Sequence, residues 1–231
     1  SNTVDEEFGN YDYLMGADID FKNPEVVEEC IKWGKWYIET TGIDGLRLDA
    51  VKHIDAMFYK NWIKEIRDVT DKELFAVGEY WSGDVTKLHR YITETEGEIS
   101  LFDVPLHYNL YNASKDFNYD LSKILDKTLV KENPAKAVTF VDNHDTQPGQ
   151  SLQSYIDVWF KQIAYSIVLL RNSGYPCVFY GDVYGIKHDN IEPVKDIETL
   201  IYLRKEKLYG EQHDYFDNHN CIGWTLEGDN E

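Results

Sequence analysis

A chain of 231 residues with 42% apolar and 28% charged side chains can bury a sizeable core, which excludes a disordered tail. Its formal charge of −19, with no basic patch against it, excludes phosphate backbones and anionic bilayers as ready partners. No nucleic acid and no membrane are therefore expected, whereas a neutral polymer such as a polysaccharide suits the field. Acidity of this kind also suits divalent cations, although a solvated acidic face accounts for most of it.

In chain order, Asp12, Asp18 and Asp20 come first, in one short loop. Clustered hard oxygen donors are what calcium takes, and an acidic turn before the next helix is the plainer reading. Asn23-Pro24-Glu25 then predicts an N-cap with proline at the first helical position, opening a helix through Ile31, Trp33, Trp36 and Ile38 to a stop at Gly42. A strand end is expected over Leu46 to Val51. An amphipathic helix carrying Phe58, Trp62, Ile63 and Ile66 follows, then a strand over Glu73 to Val77. Further strands are expected over Ser100 to Val104, Ala137 to Val141 and Cys177 to Tyr180, with helices near Leu121 to Leu129, Ile156 to Arg171 and Ile197 to Leu208. From His213 the pattern changes to Tyr215, Phe216, Ile222 and Trp224 separated by turn residues, the start of a β domain.

The apolar run from Ile163 to Leu170 is too short to span a membrane and reads as a core helix. Cys30, Cys177 and Cys221 are an odd set without CxxC spacing, so buried free thiols are expected rather than a disulfide framework or a zinc site. Strands alternating with helices give an α/β fold. A (β/α)8 barrel needs eight strands in about 250 residues, and five are read here, so a partial (β/α)8 barrel is expected, its later strands and helices leading into the β domain. An open doubly wound sheet needs a glycine-rich first turn that the sequence lacks. The expected divisions are residues 1–22, the end of an inserted subdomain, 23–210, the barrel portion, and 211–231, the start of the β domain.

Three segments place a carboxylate just past a short apolar run: GLRLDAVKH at Gly45 to His53, AVGEYW at Ala76 to Trp81, and FVDNHD at Phe140 to Asp145. A barrel presents acids in this way from the carboxyl ends of its strands. Retaining glycoside hydrolysis needs an ionised carboxylate on one side of the anomeric carbon and a protonated carboxyl on the other, and Asp49 and Glu79 fit those roles. Arg47, two residues before Asp49, shares its strand face and can orient it. Glu79 lies among apolar and aromatic neighbours that favour its acid form. Asp145, beside His144, can hold sugar hydroxyls more tightly in the transition state than in the ground state. Lys52, His53 and Trp81 are candidate sugar contacts. Taken singly, each acid could equally be a strand-end carboxylate capping the next helix, and 142–145 a polar loop.

Together these motifs resemble the α-amylase family, glycoside hydrolase family 13, whose second, third and fourth sequence regions match GLRLDAVKH, VGEYW and FVDNHD. With GNYDYLMGADIDF, FDVPLHY, GYPCVFYGD and GEQHDYFD, the chain is similar to the liquefying-type bacterial members. The resemblance implies Asp49 as nucleophile, Glu79 as general acid and base, and Asp145 as transition-state stabiliser, with Arg47 and His144 in the site. It implies endo-hydrolysis of α-1,4 bonds in an α-glucan such as starch or glycogen, with exo-acting and transglycosylating relatives sharing the same motifs. It implies calcium held by Asp12, Asp18 and the backbone carbonyl of His53. Tyr119, His213 and Asp214 align loosely with a further cation site, but Phe117-Asn118 stands where relatives carry glycines. The family's first region, a DxxxNH segment, has no match here, so a non-catalytic glucan-binding fragment is the alternative reading for this stretch by itself. A monomer is favoured, and either a secreted or a cytoplasmic bacterial location fits, with the unpaired thiols leaning to the cytoplasm.

Overall fold

Asn23 accepts a hydrogen bond from the Glu25 amide at 3.0 Å and Pro24 follows it, so helix α1 (Pro24–Thr41) starts where the sequence places it. It stops at Gly42, whose φ of 70° favours glycine and whose amide reaches the Ile38 carbonyl. The computed structural model describes residues 19–228, and the chain divides into two compact units, residues 1–82 with 86–102 and residues 83–85 with 103–231.

After α1 come β1 (Gly45–Leu48), α2 (Ala56–Thr70), β2 (Phe75–Gly78), α3 (Val85–Glu94) and β3 (Ser100–Phe102). The three strands of this first unit pair in parallel in chain order, because each is followed by a helix long enough to carry the chain back. Trp62, Ile63 and Ile66 of α2 are buried, and the Trp62 indole donates to the Cys30 carbonyl at 3.0 Å. Gly34 allows that approach, since a Cβ there would lie 2.7 Å from the Trp62 ring. The apolar period of α1 overstates its buried face: Ile38 is 1% exposed, but Trp33 and Trp36 are 57% and 58% exposed. Both indoles lie off the stripe of Gly34 and Ile38, which faces α2 and the interior.

The second unit runs through α4 (Val104–Lys115), α5 (Leu129–Glu132), β4 (Ala137–Phe140), α6 (Val158–Leu170), β5 (Tyr175–Cys177), α7 (Tyr180–Tyr184), α8 (Ile197–Lys207), β6 (Gln212–Asn218) and β7 (Cys221–Leu226). β4 and β5 are parallel, and β6 and β7 form an antiparallel hairpin. Hydrogen bonds tie the hairpin to its own unit. The Trp224 indole donates to the Leu170 carbonyl at 2.8 Å, the Leu121 amide to the His219 carbonyl at 2.7 Å, and Arg171 grips Asp214 with two bonds of 2.8 and 2.7 Å.

The continuous helix expected over Leu121 to Leu129 is a 3-10 turn at Leu121–Lys123 followed by a loop into α5. Asp120 caps the turn through the Ser122 amide, Lys127 at φ 55° breaks the helical path, and Thr128 caps α5. The last parallel strand is Tyr175–Cys177 rather than Cys177 to Tyr180, because Tyr180 already opens α7. Val51 and Val104, read as strand ends, each open helical turns. α3 and α4 were not anticipated: α4 carries His107 and Ser114 on its buried face, which blurs its apolar period. The cysteines are not the buried thiols expected. Cys30 is half-buried and Cys177 and Cys221 are exposed, with none in a disulfide, because β5 ends its sheet and Cys221 opens a hairpin strand. Among the described residues no helix is long and apolar enough to cross a membrane.

Candidate active site

The register of the first unit pairs Leu48 with Gly78, and the Glu79 amide donates to the Leu48 carbonyl at 2.8 Å. Asp49 and Glu79 are therefore the next residues past two neighbouring parallel strands. Gly78 makes the junction compact, since a Cβ there would meet Leu101 and Val51 at 3.1 and 3.2 Å. Arg47, at the position predicted from the period of two, lies between the acids: its guanidinium contacts Asp49 at 2.8 Å and Glu79 at 3.2 Å.

The two carboxyls occupy opposite environments. The Asp49 side chain is 72% exposed and that of Glu79 is 9% exposed. Glu79 Oε2 accepts from the Ala50 amide at 3.3 Å, whereas its buried Oε1 has no hydrogen-bond partner among the described residues. Burial pushes the Glu79 carboxyl above its ordinary range; Arg47 and the Ala50 N–H oppose the shift, and the charge of Asp49 adds to it. Ala50 takes φ 46° and ψ 39°, a left-handed conformation unusual for a residue with a Cβ, directly after Asp49. Lys52 is buried and its ammonium donates to the Trp81 carbonyl at 3.0 Å, tying the two motif segments together. Trp81 is half-buried and His53 exposed.

In the second unit, Asp145 lies in the loop after β4. Its carboxylate meets the His144 ring at 3.3 Å and is 29% exposed. Behind this loop the chain builds a charged core that motif reading did not find. Lys161 of α6, 1% exposed, contacts Asp142 at 2.9 Å and forms a short bond with Asp182, which also accepts from the Tyr165 hydroxyl at 2.6 Å. Burial pushes Asp142 upward, and although burial alone would lower Lys161, the two carboxylates outweigh it and raise the ammonium. The sequence carried a signal for this. Lys161 precedes the buried Ala164, Tyr165 and Val168 by helical spacings, so a charge on that face must have partners.

Two further buried groups support the same region. Asp103 accepts from the amides of Leu106, Leu129 and Val130 at 3.1, 3.1 and 2.7 Å, and burial raises it to about 6. His107 bonds the Val141 carbonyl at 2.6 Å and Ser154 Oγ at 2.7 Å, stacks on Phe140, and is lowered by burial to about 4. A histidine held neutral in the fold but titrating near 6.5 when unfolded stabilises fully above that pH and loses its contribution as pH falls toward 4. Asp103 has the opposite sign, stabilising as pH falls below about 6. His107→Gln is therefore expected to lose about 3 kcal/mol less stability than the parent between pH 7 and 4, measured by urea unfolding at each pH. Equal losses in both proteins would refute the burial argument.

Of the expected calcium ligands, Asp12 and Asp18 lie outside the described residues. Asp20, their neighbour, accepts from the Lys22 amide at 3.0 Å in a turn before α1. Asp214, from the loosely aligned cation site, is taken up by Arg171, whose hydrogen bonds hold its carboxyl below the usual range. Among the described residues one group of metal-ligating side chains gathers, Glu211, His213 and Glu227, with ligand atoms within 4.8 Å of one another; it lies on the surface, and His213 already bonds Glu227 at 2.8 Å.

Parallel strands joined by helices, with an exposed and a buried acid past adjacent strand ends and a guanidinium between them, define a β/α protein with a two-carboxylate site. Residues 2–224 match the family model described as alpha amylase, catalytic domain, and the chain belongs to that family. It is 56% identical over 227 residues to an α-amylase of Geobacillus stearothermophilus, covering 97% of this chain and 41% of that protein. It is 52% identical to a glucan 1,4-α-maltohexaosidase of a Bacillus species, covering 97% of this chain and 44% of the relative. The chain thus spans less than half the length of either. Its fold is like that of a solved Anoxybacillus α-amylase, with a TM-score of 0.73 at 24% identity over 92% of this chain and 52% of that one. That likeness shows the fold class expected from the sequence, a partial barrel leading into a β region.

Proposed function

We propose that the whole protein hydrolyses internal α-1,4-glucosidic bonds of starch, glycogen and maltooligosaccharides with retention of configuration. The observation that carries this reading is the buried Glu79 carboxyl with its unpartnered Oε1, sharing Arg47 with an exposed Asp49. An acid whose burial favours the protonated form can deliver a proton to a leaving oxygen, and an exposed carboxylate beside it can form a bond to carbon. In the first step Glu79 protonates the glycosidic oxygen, Asp49 bonds to the anomeric carbon, and the C–O bond to the leaving chain breaks. In the second, water attacks that carbon, returns its proton to Glu79 and releases Asp49, so two inversions restore the original configuration. Asp145 and His144 hold hydroxyls of the distorted sugar, and Trp81 and His53 provide further contacts.

Calcium bound by Asp12, Asp18 and the His53 carbonyl belongs to the same reading, supported by the oxygen-rich donor set and the family membership. A monomer belongs to the same reading, and a reducing compartment is proposed from an odd set of three cysteines with no disulfide among them. Release of a fixed oligosaccharide from chain ends is the second reading, favoured by the relative named as a maltohexaosidase. Incubation of the whole protein with amylose tests both: nuclear magnetic resonance is expected to show α-anomeric ends first, and chromatography a spread of mid-sized products. First-formed β-anomers would overturn the mechanism, and a single early product would select the second reading.

A further inference from the structure

We propose that Thr146 is a positioning residue that fixes Asp145 for the transition state; this rests on the role of Asp145 proposed above. Among the described residues the Asp145 carboxylate meets only the exposed His144 ring at hydrogen-bonding range, so its place is set through the backbone. The Asp145 amide donates to Asn143 Oδ1 at 2.9 Å, and its carbonyl accepts from the Leu152 amide at 3.1 Å. Asn143 Oδ1 also accepts from the Thr146 amide at 3.0 Å. Thr146, fully buried, closes the loop: its hydroxyl donates to Asp142 Oδ1 at 2.7 Å and accepts from the Asn143 amide at 3.0 Å.

The other end of this clamp is buried and held on several sides. Asp142 Oδ2 meets Lys161 at 2.9 Å and accepts from the Ile156 amide at 3.3 Å. Lys161 is held in turn by Asp182 and by the Tyr155 ring, 3.7 Å from its ammonium. One hydroxyl thus joins a loop bearing a half-buried functional carboxylate to a buried charged core. Loosening the loop costs little where substrate merely binds and much where the carboxylate must meet a distorted sugar, so the loss falls on kcat.

The test is steady-state kinetics of the whole protein on a maltooligosaccharide, with Asp145→Asn run in parallel. Thr146→Val, which keeps the shape and removes the hydroxyl, is expected to lower kcat about 10- to 100-fold and to leave KM within about threefold. Thr146→Ser, which restores the hydroxyl, is expected to return kcat to within about threefold of the parent. Parental kcat in Thr146→Val, or equal losses in the Val and Ser variants, would overturn the proposal. If the Val variant fails to fold, Thr146→Ala removes the hydroxyl with a smaller side chain, and parental kcat there overturns it equally. Parental kcat in Asp145→Asn would instead sink the role assigned to Asp145, a separate failure.

Discussion

Asp49→Asn or Glu79→Gln in the whole protein is expected to slow starch cleavage by about 10⁴-fold or more, with the circular dichroism spectrum unchanged. The two losses should differ in kind. A glucosyl donor with a good leaving group, such as a fluoride, needs little proton assistance, so Glu79→Gln should retain most of its bond-breaking step on that donor. Asp49→Asn should not, because no leaving group replaces the missing nucleophile. The geometry supports the division of labour. Asp49 is solvent-facing and gripped by Arg47, whereas Glu79 is desolvated and keeps one oxygen without a partner. Measuring both variants on amylose and on the activated donor checks this, and parental activity in either variant on amylose would remove the two-carboxylate mechanism altogether.

Lys161→Met is expected to destabilise the protein by about 3–5 kcal/mol, since it leaves Asp142 and Asp182 buried without their counter-charge. In a chain of this length that corresponds to a fall in Tm of roughly 6–20 °C. Adding Asp142→Asn and Asp182→Asn to the same protein removes the stranded charges and is expected to recover much of the loss. Calorimetry on the single and triple variants separates the alternatives. A single variant that melts with the parent would mean that Lys161 contributes no net stabilisation to its two acids. A triple variant as weak as the single would place the cost in packing rather than charge.

Features legible from residue order alone are local ones. Asn23, Pro24 and Gly42 bracket α1 because capping, a fixed φ and a left-handed residue act within a few bonds of the chain. The period-two relation of Arg47 to Asp49, the acids past their strands, and the β pattern after His213 were legible for the same reason. Packing settled everything that depends on what stands opposite. It made Glu79 a buried acid and Asp49 an exposed one, although both follow short apolar runs, and it turned Trp33, Trp36, Cys177 and Cys221 outward against their composition. It broke the helix expected at Leu121 to Leu129, where side chains of Asp120 and Thr128 compete for backbone amides. Above all it gathered Lys161, Asp142, Asp182 and Tyr165 from separate segments into one core. Desolvation is a property of the surroundings rather than of the residue, so a sequence can announce that a charge on an apolar face needs partners, and only the packed chain can supply them.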